Sequence, residues 1–293
     1  MSFIVILAAA IKTGPLTQAE AARAVEFCAG QHLHWLSPGE ACEFIVKNPP
    51  DPAQLKFILH HKATDILVTK FRGRRKALLV ADMDSTIVTT ETLDDLAQVA
   101  GLGPKIAAIT ARSMNGEIDF AAALTERVAM LKGLPISVLE RTWQTISYTP
   151  GARTLVATMR AHNATCALVS GGFTYFSARV AVELGFDIHR ANTLLDNGSE
   201  LTGEVQIPIL DRDAKLATLT ALAEKRGIKM NATLATGDGA NDIAMLDAAG
   251  LGVAYRPKPI VAEKIKNRIE HTDLRSLLFA QGYPASAFRG EET

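Results

Sequence analysis

The sequence predicts an α/β fold: a doubly wound parallel sheet with a helical cap, preceded by a smaller α+β domain. Three observations carry that expectation. After residue 76, apolar runs of four or five residues recur, and the first three are closed by Asp or Gly. Helical patterns separate them, as expected when parallel strands are buried on both faces. Residues 92–148, between the first two runs, show helical periods only. Residues 1–72 read in the order βαββαβ, a ferredoxin-like pattern.

The elements follow in chain order. Phe3 to Ala10 is an apolar run with no basic region before it, which predicts a first strand and not a signal segment. Thr17 to Ala29 has helical periodicity with Thr17 as its cap. His32 to Leu36 and Ala41 to Val46 read as short strands, Pro52 to His61 as a helix and Ile66 to Thr69 as a last strand. The basic run Lys70 to Lys76 reads as a solvated linker. The boundaries are therefore 1–72 for the ferredoxin-like or ACT-like domain and 73–293 for the α/β domain, with the cap at about 92–148. Core strands are expected at Ala77–Ala81, Thr165–Ser170, Ala232–Thr236 and Leu251–Ala254. Residues 192–205, centred on the turn Asp196-Asn197-Gly198, read as a hairpin.

Bulk properties narrow the function. The 293 residues allow two domains and, being 48% hydrophobic, a sizeable core. Lys plus Arg and Asp plus Glu are 31 each, so no basic excess argues for nucleic acid. No apolar stretch approaches the roughly 18 residues needed to cross a membrane. Three cysteines without metal-ligand spacing suggest reduced thiols and a cytoplasmic setting.

The chemistry concentrates at strand ends, where open α/β sheets bind ligands. The first strand ends in Asp82-Met83-Asp84-Ser85-Thr86. A carboxylate there can attack phosphorus, and a second one two residues on can serve as acid and base. Ser170-Gly171-Gly172 puts a hydroxyl and small residues before a helix N-terminus, an arrangement suited to an anion. Lys215 lies early in a helix, against the dipole, and a phosphate within reach would explain it. Gly237-Asp238-Gly239-Ala240-Asn241-Asp242 closes a further strand. Asp82 and Asp238 on neighbouring strand ends supply hard oxygen ligands for a divalent cation such as Mg²⁺.

In this order the four motifs resemble those of the haloacid dehalogenase superfamily of aspartate-dependent phosphatases, and within it the phosphoserine phosphatases. The resemblance covers about residues 76–283. Bacterial forms with a ferredoxin-like or ACT-like N-terminal domain provide a looser likeness for the rest. The resemblance implies that Asp82 is the nucleophile and a Mg²⁺ ligand. It makes Asp84 the general acid and base, with its backbone carbonyl on the metal. Asp238 becomes the third ligand and Asp242 a partner behind the ligands. Ser170, Gly171 and Lys215 become phosphate binders, with Asn241 near the phosphate.

Arg127 falls on the apolar stripe Phe120, Leu124, Arg127, Leu131. Two readings are open: it snorkels from the core edge, or it binds a planar anion in an apolar pocket. Glu91, at the entry to the cap, is either a first-turn helix acid or a binder of ammonium. Arg127 for a carboxylate and Glu91 for an ammonium together describe a phosphorylated amino acid. Glu91, Met114, Phe120 and Arg127 also resemble the substrate-binding positions of phosphoserine phosphatases. The rivals are the same chemistry on phosphohomoserine or a phosphosugar, and a non-catalytic amino-acid-binding regulator. The expected partner is a small phosphorylated amino acid, with no nucleic acid and no membrane; a homodimer is left open.

Overall fold

The computed structural model describes residues 2–60, 63–114 and 117–290, apart from the side chain of Met114. The N-terminal part runs β1 (Phe3–Ala9), α1 (Gln18–Phe27), β2 (Gln31–Ser37), β3 (Ala41–Val46), α2 (Pro52–Ile58) and β4 (Thr64–Lys70). The strands form one antiparallel sheet in the order β2-β3-β1-β4, the ferredoxin-like arrangement expected from the sequence. Thr17 starts α1 with a capping box: its hydroxyl accepts from Glu20 N, and its own N–H donates to the Glu20 carboxylate. Asp51 caps α2, and Pro52 takes the first helical position.

β1 lies in the middle of this sheet and is covered on both faces. Val5, Leu7 and Ala9 pack with Ala21, Ala24 and Leu55 of the two helices. Ile4 and Ile6 point the other way and join the main core of the protein, where α12 (Ser276–Ala280) packs against β1 and β4. The sheet is thus a layer of the core.

Polar locks reinforce that contact. Asp65, 1% exposed, accepts from the backbone N–H of Glu270, His271 and Thr272 and from the Thr272 hydroxyl. The Asn267 amide pairs with both the N–H (2.8 Å) and the C=O (3.0 Å) of Val68, occupying the outer edge of β4. Lys70 to Gly73 are exposed, as expected of a solvated linker, but Arg74 and Lys76 are built into the same contact. Arg74 forms a two-pronged pair with Glu43 at 2.6 and 2.9 Å, and Arg75 lies over the Tyr283 ring. The Lys76 ammonium donates to the carbonyls of Gly73 and Asn231. Burial, helped by Lys70, lowers its pKa to about 8. Local composition reads as hydrophilic; the carbonyls and carboxylates that absorb these charges are remote in sequence.

The second sheet carries the chemistry. In chain order its elements are β5 (Leu78–Ala81), α3 (Thr92–Val99), α4 (Gly103–Met114), α5 (Phe120–Ala129), α6 (Ser137–Trp143), α7 (Ala152–Ala161), β6 (Thr165–Phe173), α8 (Thr174–Leu184), β7 (Ile188–Asn192), β8 (Leu194–Asp196), β9 (Leu201–Val205), α9 (Arg212–Lys225), β10 (Thr233–Gly237), α10 (Ile243–Ala248), β11 (Leu251–Tyr255), α11 (Pro259–Lys264), β12 (Arg268–Ile269) and then α12. Six parallel strands run in the order β12-β11-β10-β5-β6-β7. Leu79, Cys166 and Leu168 face α7 and α8; Val80, Ala167 and Val169 face α9 and α10. This double coverage explains the continuous apolar runs. β7 has no such run, because it is an edge strand with His189 and Arg190 exposed.

The cap leaves and returns through paired strands of chain. Thr89 N donates to Ser147 O and Thr149 N to Ile87 O, at 2.9 Å each. The β8–β9 hairpin lies against α5 and the turn after it: Gly133 N donates to Leu201 O and Leu201 N to Leu134 O. Gly203, at φ +79°, is required there, since a Cβ would come within 2.8 Å of the Lys132 side chain.

Asp65→Ala removes the acceptor shared by three part-buried N–H groups. It should cost about 1–3 kcal/mol in denaturant unfolding, the usual penalty for an unsatisfied donor.

Candidate active site

The strand order puts the C-terminal ends of β10, β5 and β6 side by side, and the residues that follow them meet there. Asp82 follows β5, with its N–H on Thr236 O at 3.0 Å. Its Oδ1 accepts from Met83 N and from the Lys215 ammonium, both at 2.8 Å. Lys215, 1% exposed, also donates to Asp242 Oδ1 at 2.7 Å. Asp242 Oδ2 accepts from Gly239 N at 3.0 Å, which fixes the Gly237–Asp242 turn. Gly237 permits this approach, since a Cβ would lie 2.3 Å from Asp242 Cγ.

Asp84 points elsewhere. Oδ1 accepts from Thr92 N at 2.8 Å and Oδ2 from the Ser170 hydroxyl at 2.7 Å. Ser170, expected on a phosphate, thus spends its O–H on Asp84 and accepts from Gly172 N at 2.8 Å. A Cβ on Gly172 would lie 3.0 Å from Asp84 Oδ2, tighter than an ordinary contact. The turn between Asp82 and Glu91 is fixed by Ser85 at φ +54°, whose hydroxyl donates to Glu91 Oε1 at 2.8 Å.

The charges are unequal in kind. Burial raises the pKa of Asp82, and Asp242 adds to this, against Lys215. Burial opposes the charge on Lys215, but Asp82 and Asp242 overcome it and raise its pKa. Burial raises Asp84, and Glu91 adds to it; the opposition comes from neutral donors, the Thr92 N–H, the Ser170 O–H and the Thr92 hydroxyl. Burial thus raises both carboxyls; a cation at contact opposes the rise at Asp82, while only neutral donors oppose it at Asp84.

One oxygen from each of Asp82, Asp238 and Asp242 lies within 4.8 Å of the others. These buried, all-oxygen donors fit a hard divalent cation. Asp238 Oδ2 is 3.2 Å from the Lys258 ammonium. The side chain of Asp84 is not in this group, whereas that of Asp242, expected behind the ligands, is.

A pocket of about 120 Å³ is bordered by Asp82, Asp84, Gly171, Asp238 and Asn241 on the sheet side and by Glu91, Phe120, Leu124 and Arg127 from the cap side. The apolar stripe of α5 divides: Leu124 and Leu131 are buried, while Phe120 and Arg127 are half-buried. The Phe120 ring is close enough to Gly171 that a Cβ there would meet Cζ at 3.2 Å. Arg127 donates from Nε to Ala123 O at 3.2 Å. Its pKa is lowered by burial, against the pull of Asp94 and Glu91. Met114 ends α4, and its side chain lies outside the described residues.

Three residues here were not picked from sequence. Thr92 contributes its N–H to Asp84. Asn192, 3% exposed, donates to Gly171 O and accepts from Leu210 N at 2.7 Å, tying the anion loop to the segment before α9. Lys258 follows β11 between two prolines, and a lysine at a strand end was the available signal.

The haloacid dehalogenase-like hydrolase family matches residues 79–247. A phosphoserine phosphatase of Archaeoglobus fulgidus is 39% identical over 250 residues, covering 83% of this chain and 73% of that protein. One from Streptococcus thermophilus is 43% identical over 203 residues, covering 69% of this chain and 94% of its own length. The crystal structure of a probable phosphoserine phosphatase from Vibrio cholerae superimposes with a TM-score of 0.79 at 31% identity, over 98% of this chain and 88% of that one. With its nucleophile-type aspartate, buried lysine and acidic turn at adjoining strand ends, the chain belongs to the haloacid dehalogenase-like hydrolases, among the phosphoserine phosphatases.

Proposed function

We propose that the protein hydrolyses O-phospho-L-serine to L-serine and phosphate through an aspartyl-phosphate on Asp82, with Mg²⁺ as its metal. The observation that carries this reading is a single pocket bordered by Asp82 and Asp84 together with Glu91 and Arg127. A phosphate, an ammonium and a carboxylate each find a partner of opposite charge or a reactive group there. A phosphosugar would leave Glu91 and Arg127 without a task.

Asp82, Asp238 and the Asp84 carbonyl would hold the ion, which neutralises charge between phosphate and nucleophile when bound. Asp82 attacks phosphorus, forming the Asp–O–P bond as the ester P–O bond breaks. Asp84 gives its proton to the departing serine oxygen. Asp84, now ionised, takes a proton from water, whose oxygen attacks the phosphorus and releases phosphate and the Asp82 carboxylate. Lys215, the Ser170–Gly172 loop and Asn241 stabilise the phosphoryl oxygens; Ser170 also passes the alignment of Asp84 to that loop. Phe120 and the cap exclude water. Cytoplasmic serine biosynthesis is the setting this activity fits.

Excess chelator should abolish phosphate release and Mg²⁺ should restore it; full activity in metal-free buffer would contradict the metal assignment. Asp82→Asn should abolish turnover, because an amide cannot form the acyl phosphate.

Arg127→Ala should lower kcat/KM for phosphoserine by about 2–5 kcal/mol, the usual cost of truncating a buried charge pair. The loss should be much smaller for phosphoethanolamine, which lacks the carboxylate. Glu91→Gln should impair both amines and spare an aryl phosphate. An equal loss on all three substrates would make Arg127 structural.

A further inference from the structure

Lys258 is a cation of the pocket that neither the phosphoryl transfer nor the substrate reading employs. Its root is fixed. The backbone N–H donates to Asp238 O at 3.0 Å, and its carbonyl accepts from Val261 N and Ala262 N as α11 begins. Pro257 and Pro259 flank it and restrict the backbone further. From that anchor the side chain, 51% exposed, reaches the pocket mouth. Its ammonium lies 3.2 Å from Asp238 Oδ2 and 3.6 Å from Glu91 Oε1.

These two carboxylates are the ones on which a divalent cation and the substrate ammonium would sit. Lys215 differs in kind: it is buried and locked between Asp82 and Asp242. Lys258 can exchange its partners for water at little cost, because a lysine is a flexible, strongly hydrated point charge.

Resting on the magnesium and phosphoserine reading, we propose that Lys258 is a positioning residue that stands in for both ligands when neither is bound and competes with the metal for Asp238. A dication on Asp238 repels the ammonium towards solvent. Glu91 is thereby freed for the ammonium of the substrate, so metal binding prepares the amino-acid subsite. Lys258 thus sets the metal affinity below what the carboxylates alone would give.

The test is calorimetric titration of Mg²⁺ into the full-length protein without substrate. Lys258→Met keeps the stem and removes the charge; Mg²⁺ should bind at least about fivefold more tightly, because the neutral side chain neither pairs with Asp238 nor repels the dication. Lys258→Arg, which keeps the charge, should bind within about twofold of the wild type. Lys258→Gln serves as a second neutral variant if the methionine form does not fold. Unchanged or weaker Mg²⁺ binding in the neutral variant, with normal binding by the wild type, would overturn the role of Lys258 alone. A wild type that binds no Mg²⁺ would overturn the metal reading, and this proposal with it.

Discussion

The buried ammonium of Lys215 is the interaction on which the rest of the site depends. A lysine 1% exposed is tolerable only when carboxylates surround it, and Asp82 and Asp242 do so at 2.8 and 2.7 Å. Those two residues follow neighbouring strands β5 and β10, and Lys215 belongs to α9, which packs across the sheet. The triad therefore fixes three segments distant in sequence and aims Asp82. It also separates the two catalytic-type carboxylates. Asp82 is paired with a cation, whereas Asp84 receives only neutral donors and lies in the field of Glu91.

Backbone approach is the second constraint. The acidic turn can fold onto its own strand end only because Gly237 has no side chain to strike Asp242. Gly172 does the same for Asp84 on the opposite side of β5. These glycines let carboxylates and N–H groups crowd into a volume where any Cβ would intrude. The left-handed Ser85 bends the chain so that its own hydroxyl meets Glu91. Cap entry and catalytic loop are thus joined across one turn by a hydrogen bond.

The N-terminal sheet bears on the same architecture from behind. Its β1 is buried on both faces, and Asp65 and Asn267 bind it to the strand and loop that continue from β11. Asn267 O accepts from Ala254 N, and Lys258 lies a few residues beyond that strand. The smaller sheet is therefore linked, through the Asn267 side-chain amide and one main-chain hydrogen bond, to β11, the strand that precedes the loop carrying Lys258.

Sequence alone determined the elements whose signals are local. Strands β5, β6, β10 and β11 are buried on both faces, so their apolar runs are unbroken; the capped helices and the Asn-Gly hairpin announce themselves by residue type. Asp82, Asp84 and Asp238 stand out as carboxylates at strand ends, a pattern in one dimension, and Lys215 as a lysine set early in a helix against its dipole. Tertiary structure alone decided what each charge touches. The end of the basic run, Arg74 to Lys76, looks solvated until Glu43, Tyr283 and Asn231 arrive from remote segments. Ser170 reads as an anion binder, and that its hydroxyl also holds Asp84 emerges only in three dimensions. β7 and β12 went unread because an edge strand and a two-residue strand carry too little periodicity. Thr92, Asn192 and Lys258 went unread because a backbone N–H, a buried amide and a half-exposed lysine acquire their meaning from partners that sequence spacing does not reveal.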